Sequence, residues 1–182
     1  MSSASRTALG NAMRHLWADH VVWTRLYIIA AAADSPDADA AARRLLANQE
    51  QIGQAIVPYY GQVAGTRLAD LLKDHILIAV DLVAAAKAGD QIKQRDADRR
   101  WHANAADIAT FLSGANPNWS RSDLLSMLNE HLALTTQEAT ARLKRNWAED
   151  VATFDKIFEQ AMMMADALTD GIVKQFPGRF RT

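Results

Sequence analysis

Trp17-Ala18-Asp19-His20 is the stretch on which the reading turns, because its last pair, an acid followed by a histidine, returns twice more. Lys73-Asp74-His75 follows 55 residues later, and Asn129-Glu130-His131 a further 56. With 5 His and 21 acids in 182 residues, chance supplies fewer than one such pair. Three of them at near-even spacing predict an internal repeat.

Positions that play no part in these pairs recur with the same period. Leu45, Asn48, Ile52 and Ile56 are followed 56 residues on by Trp101, Asn104, Ile108 and Leu112, and then by Ile157, Gln160, Met164 and Leu168. Apolar positions stay apolar, and the polar member is an amide each time. Within each set the steps are three or four residues, the spacing of one stripe along a helix. The preceding segments agree: Met13, Leu68 and Leu124 share one position, and Leu16, Leu71 and Met127 another.

This pattern predicts an all-α fold, a six-helix bundle built from three tandem antiparallel hairpins at 6–57, 59–114 and 120–176, in a single domain spanning 1–182. Turn signals set the boundaries. Asp34-Ser35-Pro36-Asp37 stops one helix and starts the next, with Ser35 as N-cap and Pro36 at the first helical position. Pro58 ends the second helix, since proline lacks a donor and clashes with the preceding turn; Tyr59-Tyr60-Gly61 makes the corner. Gly89 suits a left-handed C-terminal cap. The loop from Gly114 to Trp119 is followed by a capping pair, Ser120 and Asp123. The third hairpin turns at Arg145-Asn146, the position that brings His131 level with Gln160.

Composition sets outer limits. At 49% apolar and 23% charged residues the chain reads as an ordinary globular one. Twenty basic residues against 21 acidic leave a net charge of −1, so no nucleic-acid or anionic-membrane surface is expected. The absence of Cys excludes disulfides, thiolate metal sites and a cysteine nucleophile. Arg6 and Arg14 precede the run Ile28–Ala33 in the manner of a targeting segment, but Asp19, His20 and Arg25 interrupt its apolar core. A cytoplasmic protein with no membrane span is the expectation.

Helix geometry then assembles a layer. His75 lies about thirteen residues before the turn at Ala88-Gly89 and Asn104 about fourteen after it, which at 1.5 Å per residue puts both at nearly one height across a hairpin. His20 with Asn48, and His131 with Gln160, follow the same arithmetic. Three imidazoles at one level form a candidate site for a divalent transition metal such as Zn, Cu, Ni or Fe, with a coordination position left open. Asp19, Asp74 and Glu130 lie one residue back and could orient the imidazole of a neighbouring helix. Two other readings use the same residues. A buried His/amide layer can simply set helix register in a non-catalytic scaffold or interaction module. Alternatively, a pocket lined by Trp23, Tyr27, Trp101 and the amides Asn48, Asn104 and Gln160 would take a small organic ligand.

Other features weigh less. The five Trp read as core, Tyr59-Tyr60 and Asn116–Trp119 as corner packing, and His15 and His102 as surface residues off the repeat. No phosphate loop, serine nucleophile motif or paired-carboxylate signature is present. No catalytic residue is assigned, and neither a substrate nor a protein partner is specified.

Taken together, Trp17–His20 through Thr24-Arg25, Asn48-Gln49, Lys73–Ile76, Asn116–Trp119 and Met164-Ala165-Asp166 resemble a family of small, poorly characterised bacterial helical proteins, over almost the entire chain. The resemblance implies an all-α domain and no particular catalytic residue. Some members carry an automatic glycosyltransferase label. For that activity this chain has neither an alternating strand–helix pattern nor an Asp-x-Asp at a strand end, since Asp37-Ala38-Asp39 opens a helix.

Overall fold

The computed structural model describes residues 5–180, and among these the chain is helical with no strand. Its elements are α1 (Arg6–Ala32), α2 (Ala38–Ala88), α3 (Gln91–Ala115), α4 (Arg121–Leu143) and α5 (Trp147–Gln175), followed by a short 3-10 turn at Pro177–Arg179. None of these helices is long and apolar enough to cross a membrane.

Five helices stand where the sequence suggested six. Pro58 does not end the second helix; it sits inside α2, and the residue that leaves helical geometry is Gly61, at φ 82° and ψ 168°. That region of backbone space is open to glycine and closed to residues with a Cβ. Gly61 bends α2 so sharply that its two arms touch. A Cβ on Gly53 would fall 2.4 Å from the Gly65 carbonyl oxygen, and one on Gly65 2.7 Å from that of Gly53. Twelve residues of straight helix would hold these positions about 18 Å apart. Replacing Gly61 by Ala is therefore expected to cost about 1–3 kcal/mol, visible as a lower urea midpoint. An unchanged midpoint would show that the bend does not depend on glycine.

The other boundaries follow local chemistry. Helix α2 starts at Ala38 with Asp37 as N-cap, two residues later than Ser35 suggests; the Ser35 hydroxyl donates instead to the Asp37 carboxylate. Gly89 closes α2 at φ 70°. The side chains of Asp90, Ser120 and Asn146 accept hydrogen bonds from the first turns of α3, α4 and α5. The turn before α5 is at Arg145, φ 59°.

Each helix packs against its neighbours in sequence, and α5 returns to α1, so the bundle closes on itself. Helix α4 also reaches α1 and α2, which brings the three histidine-bearing segments towards one another. A large apolar core including Met13, Ile52, Leu72, Ile108 and Ile172 fills the Gly61 end. There Asn116 donates to the Tyr60 hydroxyl at 2.9 Å, and that hydroxyl donates to Gln175 at 2.8 Å. These corner residues tie α2, the α3–α4 loop and α5 together.

Candidate functional site: a buried histidine row

His20, His75 and His131 are all buried, each no more than 3% exposed. They project from α1, the second arm of α2, and α4. Their rings form a row with two tryptophans at its ends. Trp17 meets His20 edge-on at 5.5 Å between ring centres, and His20 lies 5.6 Å from His131. His131 is 6.3 Å from His75, and His75 is 5.1 Å from Trp101. His131 is thus the middle ring, in contact with both others.

Three amides brace the row from the outer helices, each donating to a carbonyl one turn before a histidine. Asn48 donates to Leu16 O at 3.0 Å, Asn104 to Leu71 O at 3.0 Å and Gln160 to Met127 O at 2.8 Å. At His75 this fixes the tautomer. The Asn104 amide nitrogen is held by a carbonyl, so its oxygen faces His75 Nδ1 at 2.8 Å. Nδ1 must then carry the proton, leaving Nε2 as a lone pair. At His20 the polarity is reversed. Gln49 offers its amide nitrogen to Leu45 O at 2.8 Å, to Asn48 Oδ1 at 3.1 Å and to His20 Nδ1 at 3.2 Å. His20 Nδ1 therefore accepts, and its Nε2 bears the hydrogen. His131 Nδ1 and Gln160 Oε1 complete no hydrogen bond, although Gln160 is the polar neighbour that raises the pKa of His131.

Burial keeps the row uncharged. Desolvation pushes the His75 pKa down to about 3 and that of His131 to about 4, and holds His20 well below the ordinary imidazole value. Mutual repulsion adds to this: His131 and His75 both lower His20, and His131 lowers His75.

The row forms the floor of a cavity walled by aliphatic side chains, among them Ile28, Leu45, Ile76 and Val83, with Tyr27 and Trp101. The cavity is narrow, with about 40 Å³ wide enough for the centre of a water molecule. No hydrogen bond reaches the Nε2 atom of His20, His75 or His131, and none of these three atoms is sealed from solvent. All three residues line the cavity, and Nε2 is the ring nitrogen each has left to offer there. The floor offers a hydrogen-bond donor from His20 and an acceptor from His75.

Several expected members of the site lie elsewhere. Asp19 pairs with Arg44 at 2.5 Å, while Asp74 and Glu130 face solvent. One residue of helix is a 100° rotation, which carries each acid off the buried stripe, and none orients an imidazole. Trp23 does not line the cavity; it lies partly buried beneath the Arg44 guanidinium. Trp147 is 51% exposed and carries Arg142 over its ring. As arranged, no group of three or more His, Asp or Glu side chains among the described residues could hold a metal ion. A single ion bound to three imidazole nitrogens draws the ring centres to about 5 Å from one another, and a row does not close to that triangle.

A second buried polar cluster had not been expected. Glu138 and Asp150 are each 1% exposed. Arg25 bridges them, at 2.5 Å to Glu138 and 2.9 Å to Asp150, and Arg142 reaches Asp150 at 3.1 Å. Burial raises the Glu138 pKa to about 7 against the opposing pull of Arg25. The spacing held a signal for it, since Thr135 and Glu138 follow His131 at four and seven residues, on the same buried stripe.

Comparison with known proteins finds no family model, no curated protein and no solved structure that matches this chain.

Proposed function

We propose that the chain is a threefold-repeated helical bundle that binds a small, slender organic molecule, with the histidine row as the floor of its pocket. The repeat reading is supported by the three amide-to-carbonyl bonds, which span 32, 33 and 33 residues at equivalent positions. The observation that carries the ligand reading is the set of three unpaired Nε2 edges at the closed end of an apolar throat. Such a floor favours an uncharged hydroxyl or carbonyl group, because the imidazoles are neutral near pH 7 and include both a donor and an acceptor. A layer that only set helix register would pair its own polar atoms. Here Gln49 Oε1 is left without a partner, at about 1–3 kcal/mol for an unsatisfied group.

Calorimetric titration of the full chain with octanol tests this reading. Saturable binding at one site is expected, abolished by Ala86→Phe, which fills the open end of the throat. An absence of binding, or binding that the plug leaves unchanged, overturns it.

Chelation of a divalent ion by His20, His75 and His131 is the second reading, favoured by the Asn104 amide that leaves His75 Nε2 as a lone pair. It requires His20 to exchange tautomer and the three rings to draw together. A rise in melting temperature on adding Zn²⁺, seen in the wild type and lost in His75→Ala, would establish it; no metal effect on either protein would remove it.

A further inference from the structure

We infer that the open end of this pocket selects an anion, so that the ligand is a slender, unbranched monocarboxylate with its carboxylate at the mouth, its chain in the throat and a hydroxyl or carbonyl group at the far end of that chain on the histidine floor. The inference rests on the pocket reading above and adds the chemical class of what enters. Beyond the throat lies an open vestibule of about 760 Å³, lined by Lys87, Arg142, Lys144, Arg145 and Trp147, with no acidic side chain in its wall. The vestibule and the throat share Ala86, Gln94 and Thr140, which sets the two spaces end to end.

The charges there are not all spent internally. Lys87 pairs with Asp34 at 2.5 Å and Arg142 with Asp150 at 3.1 Å. Lys144 and Arg145 are exposed, and no carboxylate among the described residues lies within salt-bridge distance of either. A chain of net charge −1 therefore gathers four cations around one opening and leaves two unneutralised. Such a local field concentrates anions at the entrance.

The throat specifies the rest of the molecule. From Thr140 at the rim to His131 at the floor is nine residues of helix, or about 13 Å. That length suits a medium-length alkyl chain, and the narrow bore excludes rings and branches. Burying such a chain among aliphatic walls supplies the hydrophobic contribution, and the mouth supplies the choice of head group.

Titration of the full chain with 8-hydroxyoctanoate and with octanol separates these roles, since both carry a hydroxyl for the floor and only the first carries a carboxylate for the mouth. At low salt 8-hydroxyoctanoate is expected to bind at least tenfold more tightly than octanol, and the preference to shrink as salt is added. In the double variant Lys144→Gln/Arg145→Asn, two exposed positions outside the core, octanol binding is expected to persist while the preference for 8-hydroxyoctanoate falls below threefold. Equal binding of the two compounds by the wild type, or a preference that survives the double substitution, overturns the inference and leaves the pocket reading intact. Failure of both compounds to bind overturns the pocket reading, and this inference with it.

Discussion

Lowering the pH from 5.5 to 4.5 is expected to cost the protein roughly 3 kcal/mol of folding stability, a steep loss for one pH unit. The cause is the histidine row. Folded-state pKa values of about 3 for His75 and about 4 for His131, with His20 also well depressed, lie below the ordinary value of 6.5. The stability these groups contribute is complete above pH 6.5 and is lost as pH falls towards the folded-state values. In the window between, the unfolded chain takes up roughly three protons that the folded chain refuses. Glu138 acts in the opposite sense. Its folded value of about 7 lies above the ordinary 4.5, so the folded chain already holds one proton there that the unfolded chain lacks. The net uptake on unfolding is about two protons, worth about 1.36 kcal/mol each per pH unit. With total stabilities of about 5–15 kcal/mol typical of natural domains, much of the margin is gone by pH 4.5. Urea denaturation at pH 7.5, 5.5 and 4.5 measures the slope directly. His75→Asn is expected to flatten it by about 1 kcal/mol per pH unit, and a stability that stays level from pH 7.5 to 4.5 would refute the account.

Arg25→Met is expected to destabilise the fold by about 3–5 kcal/mol near neutral pH, because it leaves Glu138 and Asp150 buried with only Arg142 to face them. The arginine lies between two carboxylates that are 1% exposed, where water cannot replace it. The penalty carries a pH signature. Glu138 protonates as the pH falls below about 7, so the difference between variant and wild type is expected to shrink at pH 5.5. Comparing the two proteins at each pH cancels the histidine contribution common to both. A difference below 1 kcal/mol at pH 7.5 would mean that the carboxylates reach solvent in the variant.

The parts of this structure legible in the sequence are those that depend on one helix at a time. Periodicity alone placed His20, His75 and His131 on apolar stripes, and the structure buries all three. The same spacing paired Asn104 with His75 across the turn at Gly89, where the two side chains meet at 2.8 Å. It also located the turn at Arg145-Asn146. The neighbouring acids misled, because adjacency in sequence counts for little when successive helical residues point 100° apart. Pro58 misled for a related reason. Its cost is local and a helix can absorb it, whereas the bend at Gly61 pays no steric penalty and lets Gly53 and Gly65 touch.

Read alone, the chain determined that it is helical and which residues of each helix face inward, since hydrophobic periodicity is a property of a single segment. Only the tertiary structure decided how the segments stand against one another. Because α4 lies between α1 and the second arm of α2, the imidazoles line up as a row instead of closing into a triangle. The same packing buries Arg25 between Glu138 and Asp150, and sets Lys144 and Arg145 at the mouth of the throat above the row. Contacts of this kind join residues more than a hundred positions apart, and no periodicity in the sequence encodes the distance between them.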